Sequence, residues 1–269
     1  MRRLVAFIKL SRLHFLVFST LPYLLGLLLA WGERGALDGR LAALGLVVQL
    51  LVQLATAYLN DYWDLPTDRL NTRRTLLTGG SGELATGLLP PGVALAAGLL
   101  CLGAALVLAL LAALAFGLPP VSWLVLAAAV ASAVLYTAPP VQLSWRGLGE
   151  FATALTAALL VPLWASSLQT GRLSSELVRL GLPLVPLIAG MMLGIATPDI
   201  QADRAVGKCT LAVLAGPRHV PTLYAALVAL GYLAALLLLP QVGPWLVLAS
   251  LPLAVWAWHG LRAHLRLGG

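Results

Sequence analysis

The sequence predicts an all-helical polytopic membrane protein, a bundle of about eight transmembrane helices. Three observations carry this. The 269 residues are 60% hydrophobic and only 10% charged, with a mean hydropathy of +0.94, and in such a chain apolar stretches of about 18 or more residues read as membrane spans. Eight such stretches can be drawn, and no polar segment between them is long enough to be a domain, so 1–269 reads as a single transmembrane domain. The basic residues, finally, fall on alternate connecting segments, as they do where charge orients spans.

The first span, 14–31, follows Arg2, Arg3, Lys9 and Arg12. That basic flank could begin a signal peptide, but no small-residue cleavage site follows and seven further spans do, so the segment is expected to be retained. The second span, 41–59, runs directly into Asn60, Asp61, Asp64 and Asp68, and then Arg69, Arg73 and Arg74. Spans 92–116 and 120–138 carry no charge, and Gly98 and Gly103 read as close helix contacts. The remaining spans lie at 148–168, 181–198, 218–239 and 244–261. Each is long enough to cross roughly 30 Å of hydrocarbon at about 1.5 Å per residue.

With eight spans, thirteen of the seventeen basic residues share one side; only Arg34, Arg40, Arg172 and Arg179 face the other. The positive-inside rule then puts both termini in the cytoplasm, in the cell's inner membrane. The net charge of +7 is met by anionic lipid and calls for no nucleic acid.

Seven of the ten acids share the basic side: Asp61, Asp64, Asp68, Glu83, Glu150, Asp199 and Asp203. Orientation alone would not demand this. Asn60 and Asp64, Asp64 and Asp68, and Asp199 and Asp203 are each four apart, which places side chains about one turn apart on one helix face. Like charges so placed repel unless a cation lies between them, and magnesium takes oxygen ligands of this kind together with substrate phosphates. Pro66 and Pro198 predict breaks within both acidic segments. Such backbone is tolerated in a membrane where it lines a watery cavity, so both clusters are expected to face one cavity open to the cytoplasmic side.

The stretch Asn60-Asp61-Tyr62-Trp63-Asp64-Leu65-Pro66-Thr67-Asp68 resembles the first signature of the UbiA superfamily of intramembrane prenyltransferases. Asp199-Ile200-Gln201-Ala202-Asp203, followed by "RAVGKCTLAV", resembles the second, and "YTAPPVQLSWRGLGE" from Tyr136 to Glu150 is a third family-like stretch between them. The resemblance implies a helical bundle around a central cavity that also opens to lipid. It implies magnesium-dependent transfer of a prenyl group from its diphosphate to an acceptor, with manganese as the alternative ion. By resemblance Asn60, Asp64, Asp68, Asp199 and Asp203 would hold the metal, with Asp61 assisting. Members usually have nine spans where this chain shows eight. Many also carry a lysine four residues after the tyrosine that matches Tyr136; Pro140 stands there, leaving Arg146 as the nearer candidate.

The chemistry fits the residues independently. A polyprenyl diphosphate is an apolar tail on a charged head, and its departing diphosphate needs positive charge. Arg69, Arg73, Arg74, Arg204 and Lys208 flank the acids and are the candidates to bind it. Water must be kept from the allylic cation; Tyr58, Tyr62, Trp63, Tyr136 and Trp145 stand near the expected cavity mouth. Arg146 and Tyr136 join Asp64, Asp68, Asp199 and Asp203 as the expected catalytic set. The loop "TLLTGGSGELATGLLPP" resembles the glycine-rich loop of 1,4-dihydroxy-2-naphthoate polyprenyltransferases of the menaquinone branch, so a small aromatic acceptor of that kind is favoured. 4-Hydroxybenzoate, haem, a chlorophyllide or a lipid alcohol stand as alternatives. A divalent-cation transporter would also gather acids, but near the bilayer midplane rather than beside arginines at one face.

Overall fold

The computed structural model describes residues 1–72, 74–75 and 78–267, all helix, turn or loop, with no strand among the described residues. Among the described residues eight helical stretches are long and apolar enough to cross a membrane: Arg2–Arg34, Gly39–Trp63, Pro91–Phe116, Pro120–Thr137, Gly149–Thr170, Leu184–Ala205, Leu211–Leu238 and Gly243–Arg266. This is the eight-span, multi-pass membrane architecture that the hydropathy predicts.

The first stretch is broken in two. Helix α1 (Arg2–Leu10) ends before Arg12, which adopts a left-handed conformation (φ 46°, ψ 46°), and a 3-10 turn (Leu13–Leu16) leads into α2 (Val17–Arg34). Asp38 starts α3 (Gly39–Trp63) by accepting from the Arg40 and Leu41 amides at 2.8 and 3.2 Å. Helix α4 (Leu65–Leu70) follows at once, with Pro66 in its first turn where no amide donor is missed. Both α5 (Pro91–Phe116) and α6 (Pro120–Thr137) open on a proline for the same reason.

The fifth span is α7 (Gly149–Leu155), a π-helical turn (Thr156–Leu160) and α8 (Val161–Thr170). Pro162 explains the π turn: it has no N–H to give the Ala158 carbonyl four residues back, so the register widens there. Helices α9 (Ser175–Gly181) and α10 (Leu184–Ala196) come next, then a 3-10 turn (Thr197–Asp199) at Pro198 and α11 (Ile200–Ala205). The chain closes with α12 (Leu211–Leu238) and α13 (Gly243–Leu267). The sequence places the start of the seventh span at 218, whereas helix begins at Leu211. The difference is one extra turn capped by Thr210, ended by Gly216 (φ 71°, ψ 156°) just before Pro217.

Lipid is as apolar as a side chain, so close contact rather than water exclusion joins these helices. A Cβ on Gly26 would lie 2.2 Å from the Pro162 carbonyl, and one on Gly45 2.4 Å from the Tyr23 hydroxyl. The hydroxyl of Tyr23 donates to Ala42 O at 2.8 Å and the Trp164 indole to Gly45 O at 2.9 Å, which fastens α2 and α8 to α3. Gly98 meets the expectation of a close contact, against Leu59 of α3. Gly103 does not: it is exposed, with open space where a side chain would go. Helical spacing sets which face a residue takes, and position 103 falls on the outer one. The last span sits at the edge, held to α12 by Trp258 Nε1 donating to Pro221 O at 3.1 Å and by Tyr232 with Ser250 at 3.0 Å.

Candidate active site

Asp64 is the junction of the site. It follows the last residue of α3, and the turn there keeps helical hydrogen bonding, from the Asp64 amide to Asn60 O (2.8 Å) and from the Asp68 amide to Asp64 O (2.9 Å). The four-residue spacing therefore survives the break before Pro66. Asp64 Oδ1 accepts from the Trp145 indole at 2.7 Å, and Oδ2 accepts from Asn60 Nδ2 and from the Lys208 ammonium, both at 2.7 Å. Lys208 also lies 3.7 Å from Asp203. One buried lysine thus joins the first acidic segment to the second. Burial alone would lower its pKa, but the Asp64 and Asp203 carboxylates outweigh that and hold it above the ordinary lysine value.

The glycine loop makes a second connection. The Gly79 amide donates to Asp199 Oδ2 at 3.1 Å, and Asn71 Nδ2 donates to Asp199 Oδ1 at 2.6 Å. The Ser81 amide donates to Asp61 Oδ2 at 3.2 Å. Between them Gly80 (φ 64°) lies so close that a Cβ would fall 2.2 Å from Asp68 Oδ2. Only glycine combines that backbone with that approach. Arg74 keeps the loop in place, donating from Nε to Gly79 O at 2.7 Å and from Nη2 to Asp68 O.

Two carboxylate oxygens in the cluster have no hydrogen-bond donor among the described residues, Asp61 Oδ1 and Asp203 Oδ1. Asp61, 1% exposed, has the Arg12 guanidinium at 3.6 Å. Asp68 is pushed up to about 8, first by burial and then by Asp61 and Asp64, against the opposing pull of Lys208 and Arg74. The cluster holds more negative charge than its own cations answer. Among the described residues no three acid, imidazole or thiol side chains lie close enough together to hold a metal ion by themselves. Lys208 and the loop amides lie against the carboxylates instead.

The structure separates the basic residues that the sequence groups together. Lys208 is inside, Arg74 braces the loop, and Arg69 and Arg204 are exposed. Arg146 is exposed too and donates to Pro140 O at 2.7 Å, so the residue and the proline that displaced the family lysine are bonded to each other. Arg73 lies outside the described residues. Tyr136 is half-buried on α6, within electrostatic reach of Lys208 and Asp64. Trp145 takes a place at the cluster, on Asp64, whereas Tyr58 is buried and shares its hydroxyl with Ser11 (2.6 Å), next to Arg12.

Three contributors escape the spacing argument. Arg12 reads from sequence as a basic flank, yet it reaches Asp61 across 49 positions. Glu150 is 4% exposed and accepts from the Leu211 amide at 2.9 Å, tying α7 to the start of α12. The loop acts through backbone amides, which leave no side-chain signature; its glycines were the available signal.

A family model described as the UbiA prenyltransferase family matches residues 19–267. A 1,4-dihydroxy-2-naphthoate octaprenyltransferase of Bacillus subtilis (strain 168) is 28% identical over 258 residues, 94% of this chain and 80% of that protein. A protein of the same name from Mycobacterium leprae (strain TN) is 28% identical over 82% of this chain and 74% of its own. Among solved structures, a UbiA homolog from Archaeoglobus fulgidus bound to GPP and Mg2+ shares the fold, with a TM-score of 0.68 at 18% identity over 96% of both chains.

Proposed function

The chain belongs to the UbiA prenyltransferase family, and on that premise we propose that it moves a polyprenyl group from its diphosphate to 1,4-dihydroxy-2-naphthoate in a magnesium-dependent reaction. The observation that carries the reading is the buried Lys208 between Asp64 and Asp203, which makes one polar site of two distant acidic segments.

The residues fit a divalent ion. The donors are hard oxygens, and Asp61 Oδ1 and Asp203 Oδ1 have no hydrogen-bond donor, each facing only a cation, at 3.6 and 3.7 Å. Asn60, Asp64, Asp68, Asp199 and Asp203 would hold the ion, with Asp61 assisting. A magnesium ion held there would supply positive charge against the departing diphosphate. Lys208, charged and shielded from water, takes up diphosphate oxygens from between the motifs. The indole of Trp145 keeps Asp64 in place, and Arg74 keeps the loop against Asp68. The bond from the prenyl carbon to the diphosphate oxygen breaks while a bond forms to the ring carbon that bears the carboxylate. The ring carboxylate leaves as carbon dioxide, returning its electron pair to the ring. Tyr136, beside Lys208, faces the reacting end, and the apolar helices take the prenyl tail.

The acceptor is supported by the names of the two octaprenyltransferases and by the loop's resemblance to that branch. Substrate binding in the Archaeoglobus homolog, solved with GPP and Mg2+, supports the diphosphate and the metal. The charge asymmetry supports a cytoplasmic acid-bearing end with both termini beside it, in the inner membrane, and residues 1–269 acting as one transferase unit. The test is to offer purified protein geranyl diphosphate with an equal mixture of 1,4-dihydroxy-2-naphthoate and 4-hydroxybenzoate, and to weigh the products by mass spectrometry. A prenylated naphthalenediol without carboxylate is expected, abolished by EDTA and restored by magnesium. A product that retains the benzoate carboxylate overturns the acceptor, and turnover indifferent to chelator overturns the metal.

A further inference from the structure

Helix α1 has two apolar faces with different neighbours. Ala6 and Leu10 are 1% and 0% exposed and pack into the protein, while Leu4, Val5 and Ile8 stand outward at 63%, 49% and 51%. Arg2 and Lys9 are exposed along one margin of that outer stripe, and Arg3 is exposed in the first turn of the helix. An outer apolar stripe edged by basic residues is the composition of a helix lying in a membrane interface, with its cations at the anionic headgroups. The helix is not needed to span: α2 has 18 residues, about 27 Å at roughly 1.5 Å per residue. Four basic residues in the first twelve would also make the hydrocarbon a costly place for it. The left-handed Arg12 and the 3-10 turn after it let α1 leave the axis of α2.

The inner face of α1 is fastened to the active site. The ring of Phe7 stacks on Tyr58 at 5.8 Å, Ser11 Oγ shares a 2.6 Å hydrogen bond with the Tyr58 hydroxyl, Lys9 lies 3.8 Å from Glu83, and Arg12 lies 3.6 Å from Asp61. Arg12 holds its left-handed backbone without being glycine, a strain that persists where surroundings fix it.

We propose that α1 is an anionic-lipid-binding interfacial helix, and that its seating among headgroups presses Ser11 and Arg12 onto the acid cluster, so that turnover depends on bilayer charge. The occupant of its outer face is the anionic surface of the leaflet beside the acids, matched by the exposed Arg2 and Arg3, while Lys9 stays near Glu83. Arg12 acts as a positioning residue, through Asp61 and not on substrate.

The test reconstitutes the full chain in vesicles of phosphatidylcholine alone or phosphatidylcholine mixed with phosphatidylglycerol. Hydrogen–deuterium exchange of residues 2–10 is followed beside release of diphosphate from geranyl diphosphate. In the anionic vesicles α1 should seat about fivefold more favourably for each arginine that engages the surface, so that it exchanges more slowly and turnover rises. The paired change Arg2→Gln with Arg3→Gln should erase both gains while keeping the turnover seen in phosphatidylcholine, since both residues are exposed and away from the acids. Equal exchange of α1 in the two vesicles overturns the lipid site. Protection of α1 without any change in turnover overturns the coupling to Asp61.

Discussion

The bundle has two polar ends, and they use charge in opposite ways. At one end Arg172 bonds Glu33, and Arg179 pairs with Glu176 three residues away at 2.7 Å with both side chains about half exposed (53% and 50%). Asp38 there simply caps α3. At the other end Asp61, Asp64, Asp68, Asp203 and Lys208 are all buried, and Asp64 finds partners 81 and 144 residues away. Exposed pairs keep their water and contribute little. Buried charges give up water, and a fold retains that cost where the charges do chemistry. The same residue types are ordinary helix furniture at one end and the proposed reactive centre at the other; burial and long-range pairing, not composition, tell them apart.

If that contrast is right, Lys208→Met should be the most damaging single change. It removes the charge shared by Asp64 and Asp203 and should cut kcat by about 10²–10³-fold, the scale of losing a fixed electrostatic contact to developing charge. Unaltered turnover by a protein that still folds would erase the distinction between the ends. Next is Gly80→Ala, which drives a methyl into the Asp68 carboxylate at a backbone angle alanine resists. Displacing a ligand by about 1 Å can cost about 10²-fold, and magnesium titration by calorimetry should show weakened binding as well. Ordinary metal affinity in that variant would show that the loop does not position Asp68.

Arg146→Ala sharpens the contrast from inside the reactive end. The residue is exposed and bonded to a carbonyl, so both kcat and the KM for geranyl diphosphate should stay within about twofold, as for most surface changes. A large rise in that KM would restore Arg146 as a diphosphate clamp. Smallest of all, Arg172→Gln should leave turnover alone and change stability by less than about 1 kcal/mol. Thermal unfolding in detergent would check it.

Much of this was legible in the sequence. Eight spans follow from hydropathy, because the bilayer fixes a length that any spanning helix must meet. The acids at 60–68 and 199–203 announce themselves by helical spacing, and Pro66 and Pro198 mark the breaks that appear at α4 and at Thr197–Asp199. Spacing, however, reports a face and not what lies across from it. It cannot single out Lys208 from the neighbouring Arg204, which turns outward one helical turn earlier. Nor can it show Arg12 reaching Asp61, or amides of Gly79 and Ser81 bonding acids from opposite motifs. Those pairings depend on how distant helices pack, and backbone donors carry no residue code at all.

The central claim is that the two acidic segments act as one unit. A double-mutant cycle on kcat with Asp64→Asn and Asp199→Asn tests it most directly, because each change removes one charge and keeps size. Each single change should lower kcat by orders of magnitude, at about 1.4 kcal/mol per tenfold. The double mutant should be little worse than the poorer single, since residues that act together are strongly non-additive. Losses that multiply in the double mutant, or single mutants that remain fully active, would contradict the claim and return these acids to the ordinary duties of the opposite end.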